Sequence, residues 1–282
     1  MAEKHTYTSL AGEPIKLSIP RPRGVESFYF MAAHKSGSVL FYNLVRDIAK
    51  AARQSEFALE TELFHNGVIL PNCPLELMGV LERPGYWFHG FRTPWLLTYI
   101  RRFRLSKKFL LVRDPRDICV SYYFSMAKSH TVPDRGEARE KLLEKRAEAE
   151  LVDPNTFIKQ GNADFILRNL RNYQKIVKEY GATVFRYEDY IFEKKKWINT
   201  IAGECGVKVP PGKVQEMLDK YDIVPDAEQP DQHIRQVTPG NYRKHLEEST
   251  IQTIERRFPD LFDFFKYERE FDAPKKKKNK AE

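Results

Sequence analysis

The amino-acid sequence is poor in cysteine and has no long apolar run, and each shortage excludes a class of protein. Its 282 residues include three cysteines, an odd number with no CxxC spacing: Cys73, Cys119 and Cys205. A disulfide framework and a structural zinc site are therefore disfavoured, and a reducing cytosol is expected. No stretch approaches about 18 uninterrupted apolar residues, which argues against a membrane span. The first ten residues lack a signal-peptide pattern, so we expect a cytoplasmic protein.

Two familiar nucleotide-binding signatures are also missing. A Walker A loop has the form GxxxxGK[ST], with its lysine after the second glycine, whereas here Lys35 precedes Gly37. The GxGxxG of a dinucleotide-binding fold does not occur. A P-loop kinase or NTPase is therefore the alternative enzyme class, supported only by Asp114 at the end of FLLVRD, which faintly resembles a Walker B strand.

Positive charge is in modest excess, and half of the net charge lies in the last ten residues. Lysine and arginine number 47 against 39 acidic residues, a net charge of +8. Residues 273–282 hold five lysines and one glutamate, a net of +4. Such a tail cannot bury apolar surface, so we expect it to be disordered and solvated. A basic tail could also contact nucleic acid or an anionic lipid. No recognised nucleic-acid motif accompanies the charge, so we expect no nucleic acid to bind.

Buried-type strands alternate with amphipathic helices along the rest of the chain. Residues 27–33 (SFYFMAA) predict a strand, followed by a small-residue turn and a helix. Residues 109–112 (FLLV) predict a second strand, and residues 182–187 (ATVFRY) a third, after the amphipathic helix 164–180. This alternation predicts a single α/β domain, with a central parallel β-sheet flanked by helices.

The expected domain covers residues 25–268. Residues 1–24 are polar and proline-rich and predict an N-terminal extension lying on the domain. A highly charged helical insertion is expected at about 134–152, where it could form a lid. Residues 269–282 form the lysine-rich tail.

The first strand-to-helix turn, Lys35–Ser38, carries the features of an anion site. Ligands of parallel α/β sheets bind beyond the carboxyl ends of the strands. There, unpaired amides and the positive end of a helix dipole attract an anion, and Lys35 adds a mobile charge. Small turns before helices are common, so this turn alone is a weak signal.

Two later segments are also basic. RDPRDICVS places Arg113 at a strand end and Ser121 eight residues later, about two turns into a helix. Both could bind one phosphate, although a surface ion-pair cluster explains the charges equally well. Residues 233–246 join Arg235 and Arg243 to a Pro-Gly turn, which fits either a phosphate-binding loop or a solvated one.

In combination and in this order, the segments resemble the sulfotransferases that use 3′-phosphoadenosine 5′-phosphosulfate as sulfuryl donor, over roughly residues 27–268. KSGS resembles their 5′-phosphosulfate loop, RDPRDICVSYY their 3′-phosphate motif, and FRYEDY their YED strand end. The resemblance implies a P-loop-like, nucleotide-kinase-like fold and in-line sulfuryl transfer without a metal. The implied acceptor is a hydroxyl or amine of a small molecule, with an apolar or aromatic alcohol as one candidate.

The resemblance also implies residue roles. Lys35 would contact the bridging oxygen, Arg113 with Ser121 and Arg235 would bind the 3′-phosphate, and Tyr187 would approach the adenine. The residues that the resemblance implies bind the sulfuryl donor are Lys35, Ser36, Gly37, Ser38, Val39, Arg113, Ser121, Tyr187 and Arg235. Two positions depart from the family pattern: Gln236-Val237 replaces Lys-Gly after the late arginine, and Leu40 replaces an aromatic residue.

The catalytic base implied by the resemblance is His89, in an aromatic segment 24 residues before Arg113. The ordinary pKa of imidazole, near 6.5, suits removal of a hydroxyl proton near neutrality. A histidine in an aromatic strand is also a common core residue, so other bases stay open: His34, Glu62 and His65. Arg92 would assist by stabilising sulfuryl oxygens. Aromatic residues that would suit an acceptor pocket are Phe64, Tyr86, Trp87 and Tyr221.

Overall fold

The computed structural model describes residues 2–68, 72–91, 94–129, 137–223 and 237–271. Its strands are β1 (Ala2–Thr8), β2 (Pro14–Pro20), β3 (Phe28–Ala32), β4 (Ser55–Phe57), β5 (Tyr86–Phe91), β6 (Lys107–Val112) and β7 (Thr183–Arg186). Its helices are α1 (Ser38–Ala51), α2 (Leu59–His65), α3 (Leu75–Met78), α4 (Arg101–Leu105), α5 (Pro115–Phe124), α6 (Glu137–Glu150), α7 (Pro154–Lys159), α8 (Asp164–Tyr180), α9 (Tyr187–Tyr190), α10 (Lys194–Glu204), α11 (Pro211–Tyr221), α12 (Tyr242–His245), α13 (Glu248–Arg257) and α14 (Pro259–Phe265).

A parallel sheet organises the fold. Among the described residues it has five strands in the order β4-β5-β3-β6-β7, and all four neighbouring pairs are parallel. Every residue of β3 and β5 is buried, as expected for strands covered by helices on both faces. The prediction of an α/β fold with a central parallel sheet is confirmed, and the three expected strands correspond to β3, β6 and β7.

Aromatic side chains fill the centre of the sheet. The ring of Phe30 lies between those of Trp87 and Phe109, with centroid distances of 5.2 and 4.7 Å. Tyr86 is fully buried and donates a hydrogen bond to the carbonyl of Pro20 at 2.6 Å. Tyr86 and Trp87 therefore pack in the core, and their expected place beside an acceptor stays a prediction.

Helix α1 covers the sheet with one apolar face. Phe41, Leu44, Val45 and Ile48 are buried, at the spacing of three and four residues that a helix requires. The predicted helix over residues 164–180 is also confirmed, as α8. Helix α6 lies within the expected charged insertion; a lid function for it stays a prediction.

The N-terminal segment forms an antiparallel hairpin of β1 and β2, where the sequence predicted only an extension. Ile15, Leu17 and Ile19 alternate with exposed residues and are buried. This period of two is present in PIKLSIP and was the signal for a strand with one buried face.

The chain divides into two compact units. Met1–Arg113 and Asn169–Val224 form the first, which contains the hairpin and the sheet. Asp114–Arg168 and Pro225–Glu282 form the second, which contains α5–α7 and α12–α14. The domain boundaries expected from the sequence stay predictions, and the tail beyond Phe271 lies outside the described residues. Across the described ranges, none of the helices has the length and apolar character needed to cross a membrane.

A buried arginine holds the second unit together. The guanidinium of Arg116 donates two hydrogen bonds to Asp114, at 2.9 and 2.6 Å, and a third to Glu255 at 2.8 Å. It also lies 4.3 Å from the centre of the Tyr242 ring and 5.2 Å from that of Phe262. The four charged residues of RDPRD are buried, and the cation of Arg116 is compensated by Asp114 and Glu255.

Replacement of Arg116 by alanine should destabilise the protein by about 3–5 kcal/mol, because it leaves buried carboxylates without their cation. Arg116→Lys should recover only part of the loss, since an ammonium cannot reproduce the planar, two-pronged contact. Urea unfolding measures both changes. The matched control is Lys213→Ala, which removes an exposed ion pair with Glu216 and should change little. An unfolding midpoint for Arg116→Ala equal to that of the wild type would contradict this account.

Candidate functional site

Three neighbouring strands of the sheet end in segments that the sequence marked as functional. Strand β3 leads into the turn 33–37, β6 leads to Arg113, and β7 leads to Tyr187. Because β3, β6 and β7 are adjacent and parallel, their carboxyl ends lie at the same edge of the sheet. Ligands of such sheets bind at this edge.

The turn after β3 is held by hydrogen bonds within the turn and by one from the amide of Ala33 to the carbonyl of Leu111 in β6, at 2.9 Å. The hydroxyl of Ser36 donates to the carbonyl of Ala33 at 2.5 Å and lies 3.4 Å from that of Leu111. The amide of Ser36 also donates to Ala33, at 3.2 Å, and the side chain is fully buried. The amide and the hydroxyl of Ser36 thus both shape the turn. That Ser36 also binds the sulfuryl donor stays a prediction.

The backbone of the turn is left-handed at two residues. Lys35 has φ of 62° and Gly37 has φ of 87°, a region that only glycine occupies without strain. Gly37 is the N-cap of α1, so it brings no capping side chain, and the first turn of α1 contains no acidic residue. The amides of Ser38 and Val39 therefore begin a helix with an uncompensated positive end.

Tyr187 contacts both other parts of this edge. A Cβ atom at Gly37 would lie 2.9 Å from the Tyr187 ring, so only glycine fits beside it without displacement. On the other side, the guanidinium of Arg113 lies 4.5 Å from the centre of the same ring. Tyr187 and Arg113 are both buried, at 4% and 6% exposure. Residues from three separate motifs therefore meet in one cluster, which we call the edge cluster: Gly37, Arg113 and Tyr187.

His89 lies outside the edge cluster. It belongs to β5, on the opposite side of β3 from β6, and is 6% exposed. Its Nε2 is 2.8 Å from the carboxylate of Glu56 in β4. Burial alone would raise the pKa of Glu56, but the hydrogen bond with His89 and the nearby cation of Lys50 lower it below its usual value. The carboxylate of Glu56 faces Nε2, and Nδ1 is a buried atom with no hydrogen-bond partner among the described residues.

Glu56 is a residue that the sequence did not single out. It lies in the three-residue strand SEF, which carries no chemical motif. Its proximity to His89 follows from the parallel register of β4 with β5, in which Glu56 is opposite Trp87.

The other predicted site residues differ in burial and in the element that carries them. Ser121 is half-buried on α5 in the second unit, and Val39 is exposed on α1. Among the alternative bases, His34 is half-buried next to Lys35, while Glu62 is half-buried and His65 exposed on α2. Arg92 and Arg235 lie outside the described residues.

The edge cluster fits an anionic nucleotide better than a metal ion. Gly37 allows an aromatic ring to pack closely against a helix N-terminus, and Arg113 adds a cation next to that ring. In the part of the chain that the structure describes, His, Cys, Asp and Glu side chains form no group of three that could hold a metal ion.

Comparison with known proteins agrees with this geometry. Residues 103–259 match the model of the sulfotransferase domain family. No curated protein sequence matches the chain significantly. The structure resembles that of mouse sulfotransferase SULT7A1 complexed with PAP, with a TM-score of 0.53 and 12% identity over 86% of this chain and 85% of that one.

Two further solved structures are of retinol dehydratase. The complex with androsterone and the inactive cofactor PAP has a TM-score of 0.43 and 16% identity over 92% of this chain and 90% of that one. The complex with retinol and PAP has a TM-score of 0.43 and 17% identity, over 96% and 92%. The family match covers more than half of the sequence, and the mouse enzyme shares the fold. This chain belongs to the sulfotransferase family.

Proposed function

We propose that the chain transfers a sulfuryl group from 3′-phosphoadenosine 5′-phosphosulfate to a hydroxyl or amine of a small-molecule acceptor. Family membership supports sulfuryl transfer in general, and the edge cluster is the observation that carries the choice of donor. It joins a helix N-terminus, an aromatic ring and an arginine, which suit a phosphosulfate, an adenine and a second phosphate.

The two anionic ends of the donor would be bound by different parts of the chain. The amides of Gly37, Ser38 and Val39 would hold the 5′-phosphosulfate, aided by the dipole of α1. Arg113 and Ser121 would bind the 3′-phosphate, together with Arg235 in the proposal carried over from the family pattern. These remote contacts supply binding energy that ATP, which lacks a 3′-phosphate, does not obtain.

The chain would promote the reaction by positioning and by charge. The donor supplies an activated sulfuryl group when bound. Lys35, held next to the start of α1, would neutralise negative charge that develops on the departing phosphate. This chain's contribution then resembles that of enzymes of phosphoryl transfer, in which alignment and electrostatic stabilisation do most of the catalysis.

His89 remains the proposed catalytic base. Its hydrogen bond to Glu56 would hold the tautomer in which Nδ1 can accept a proton, and Glu56 would stabilise the resulting imidazolium. An acceptor hydroxyl must therefore approach the Nδ1 side of the ring. His34, Glu62 and His65 are the alternative bases that the experiments below distinguish.

The chemical class of the acceptor is a further part of the proposal. Of the aromatic residues expected around it, Phe64 is exposed on α2, whereas the hydroxyl of Tyr221 donates to Asp47 at 2.6 Å. We propose an apolar or aromatic alcohol, since an exposed aromatic side chain near the sheet suits such a molecule. A cytoplasmic location likewise stays a prediction.

Thermal unfolding with two nucleotides tests the donor. Adenosine 3′,5′-bisphosphate (PAP) should raise the melting temperature in the absence of metal, because a ligand of the native state stabilises it. ATP with Mg²⁺ should produce little or no shift. Stabilisation by ATP with Mg²⁺ and none by PAP would favour the kinase or NTPase alternative and would contradict the proposed sulfuryl donor.

Replacement of Arg113 by alanine should raise the dissociation constant of PAP by about 10- to 100-fold, the range expected for loss of a charged hydrogen bond. Isothermal titration calorimetry measures the change. The control is Arg104→Ala on α4, an exposed arginine outside the edge cluster, which should bind PAP like the wild type. Equal affinity of Arg113→Ala and the wild type would remove Arg113 from the donor site.

His89→Gln should abolish most turnover while leaving PAP affinity unchanged, because glutamine keeps a polar side chain but cannot take up the proton. Loss of a general base typically costs about 10²- to 10⁴-fold in rate. The parallel variants His34→Gln, His65→Gln and Glu62→Gln should retain activity. Retained turnover in His89→Gln would move the base to another residue and leave His89 as a core partner of Glu56.

A further inference from the structure

Strand β5 contains a β-bulge next to its carboxyl end. In the parallel register of β5 with β3, two residues of β5, His89 and Gly90, lie opposite a single residue of β3, Phe30. Gly90 supplies the unusual backbone conformation, with φ of 82°. A bulge inserts one extra residue into a strand and changes the direction in which a side chain points. This bulge therefore falls on the proposed base and on the residue that follows it.

The bulge decides which face of the sheet each side chain of β5 takes. In a regular strand, side chains three positions apart point to opposite faces. Phe88 and Phe91 are three positions apart, yet both rings pack against Tyr29, at centroid distances of 5.1 and 6.3 Å. The ring of His89 lies 5.8 Å from that of Tyr42 in α1. The bulge thus lets His89 face α1 while both phenylalanines pack on the other face.

Only glycine fits at position 90 without displacing its neighbours. A Cβ atom there would lie 2.9 Å from Oγ1 of Thr61 and 3.2 Å from Cβ of Ala58, on a backbone that is already left-handed. These two neighbours belong to the junction between β4 and α2. Strand β4 also supplies Glu56, whose carboxylate is 2.8 Å from Nε2 of His89. The bulge therefore packs against the same segment that supplies the partner of His89.

The end of β5 is also fixed by tyrosine hydroxyls. The carbonyl of Phe91 accepts a hydrogen bond from Tyr42 in α1, at 2.7 Å. The hydroxyl of Tyr173 in α8 lies 3.3 Å from the same carbonyl and 3.2 Å from that of Ala32, at the end of β3. The residue after the bulge is therefore tied to two helices and to the neighbouring strand, which leaves the bulge little freedom to relax.

We propose that Gly90 is a positioning residue for the reaction: the bulge that it permits aims the imidazole of His89 at Glu56 and so presents the base in its reactive orientation. The inference rests on the proposed function, in which His89 removes the proton of the acceptor. Gly90 acts through His89, so its replacement should disturb turnover and the contact between His89 and Glu56 but not binding of the donor.

Turnover of Gly90→Ala tests this role, with 3′-phosphoadenosine 5′-phosphosulfate as donor and benzyl alcohol as the probe acceptor. The value of kcat should fall by about 10- to 100-fold, a part of what a general base supplies. The dissociation constant of PAP should stay at the wild-type value. The matched control is Gly181→Ala: Gly181 also has a positive φ, of 68°, but a Cβ atom there has no neighbour within 4 Å. It introduces the same kind of backbone strain without the contact and should keep kcat.

Two further variants keep the inference testable if Gly90→Ala fails to fold. Gly90→Ala combined with Thr61→Ala removes the closest of the expected contacts, so it should turn over faster than Gly90→Ala alone. Tyr42→Phe leaves Gly90 intact but removes the shorter hydrogen bond to the carbonyl of Phe91. Its kcat should fall in the same direction as that of Gly90→Ala, again without a change in the affinity for PAP.

A measurement on the imidazole itself needs no acceptor. Side-chain proton–nitrogen NMR spectra report the hydrogen bonding of each ring nitrogen, and the signals of His89 are those that are missing from His89→Gln. Glu56→Gln should shift these signals, because it replaces the carboxylate that faces Nε2. Gly90→Ala should shift them in the same direction, whereas Gly181→Ala should leave them at their wild-type positions.

The outcomes separate the inference from the proposed function. A wild type that binds no PAP, or full turnover in His89→Gln, overturns the proposed function or its base, and the inference with it. Turnover that depends on His89 but is equal in Gly90→Ala and Gly181→Ala overturns the inference alone.

Two other results also overturn the inference alone. One is a loss of PAP affinity in Gly90→Ala as large as its loss of kcat, because it indicates a general disruption of the sheet. The other is a set of His89 signals that Gly90→Ala leaves unchanged. This second result decides the matter even if benzyl alcohol is not an acceptor, and a shift like that of Glu56→Gln then supports the inference.

Discussion

Parallel pairing of β3 with β6 and of β6 with β7 is the constraint on which the candidate site depends. It places the ends of all three strands at one edge, although the residues that follow them are separated by many positions in the sequence. The two central strands of the three can pair in this way because β3 and residues 109–112 of β6 are apolar and buried on both faces. The stacked rings of Phe30, Phe109 and Trp87 then fix the strands relative to one another. An aromatic core thus determines where Gly37, Arg113 and Tyr187 can meet.

At that edge, Tyr187 links two regions of positive potential. Its ring touches Gly37 at the start of α1 and lies under the guanidinium of Arg113. An aromatic face attracts a cation, and here the arrangement also keeps the arginine in place although it is buried. Under the proposed function, this buried arginine would bind the doubly charged 3′-phosphate of the donor.

The motif RDPRD concentrates charge that serves two purposes. Arg116 forms a buried ion-pair network with Asp114 and Glu255, while Asp117 accepts two backbone amides of the turn before α12. Such buried charges are tolerated because each one is fully hydrogen-bonded. From the sequence, a surface cluster explained these charged residues equally well, because a sequence motif does not show which of its side chains become buried. Their burial depends on α13 and on the turn at Gly240, more than a hundred residues further along the chain.

The sequence by itself determined the fold class, the order of the main strands and helices, and the family. Local hydrophobic periodicity decides whether a segment forms a strand or a helix, and the three motifs are contiguous, so each can be recognised without knowing its neighbours. The hairpin of β1 and β2 was also encoded locally, in the alternation of Ile15, Leu17 and Ile19. Only the tertiary structure decided that Tyr187 contacts both Gly37 and Arg113, that Glu56 is the partner of His89, and that Asp117 holds the turn at Gly240. These contacts arise from strand register and helix packing between distant segments, and no local pattern of residues specifies them.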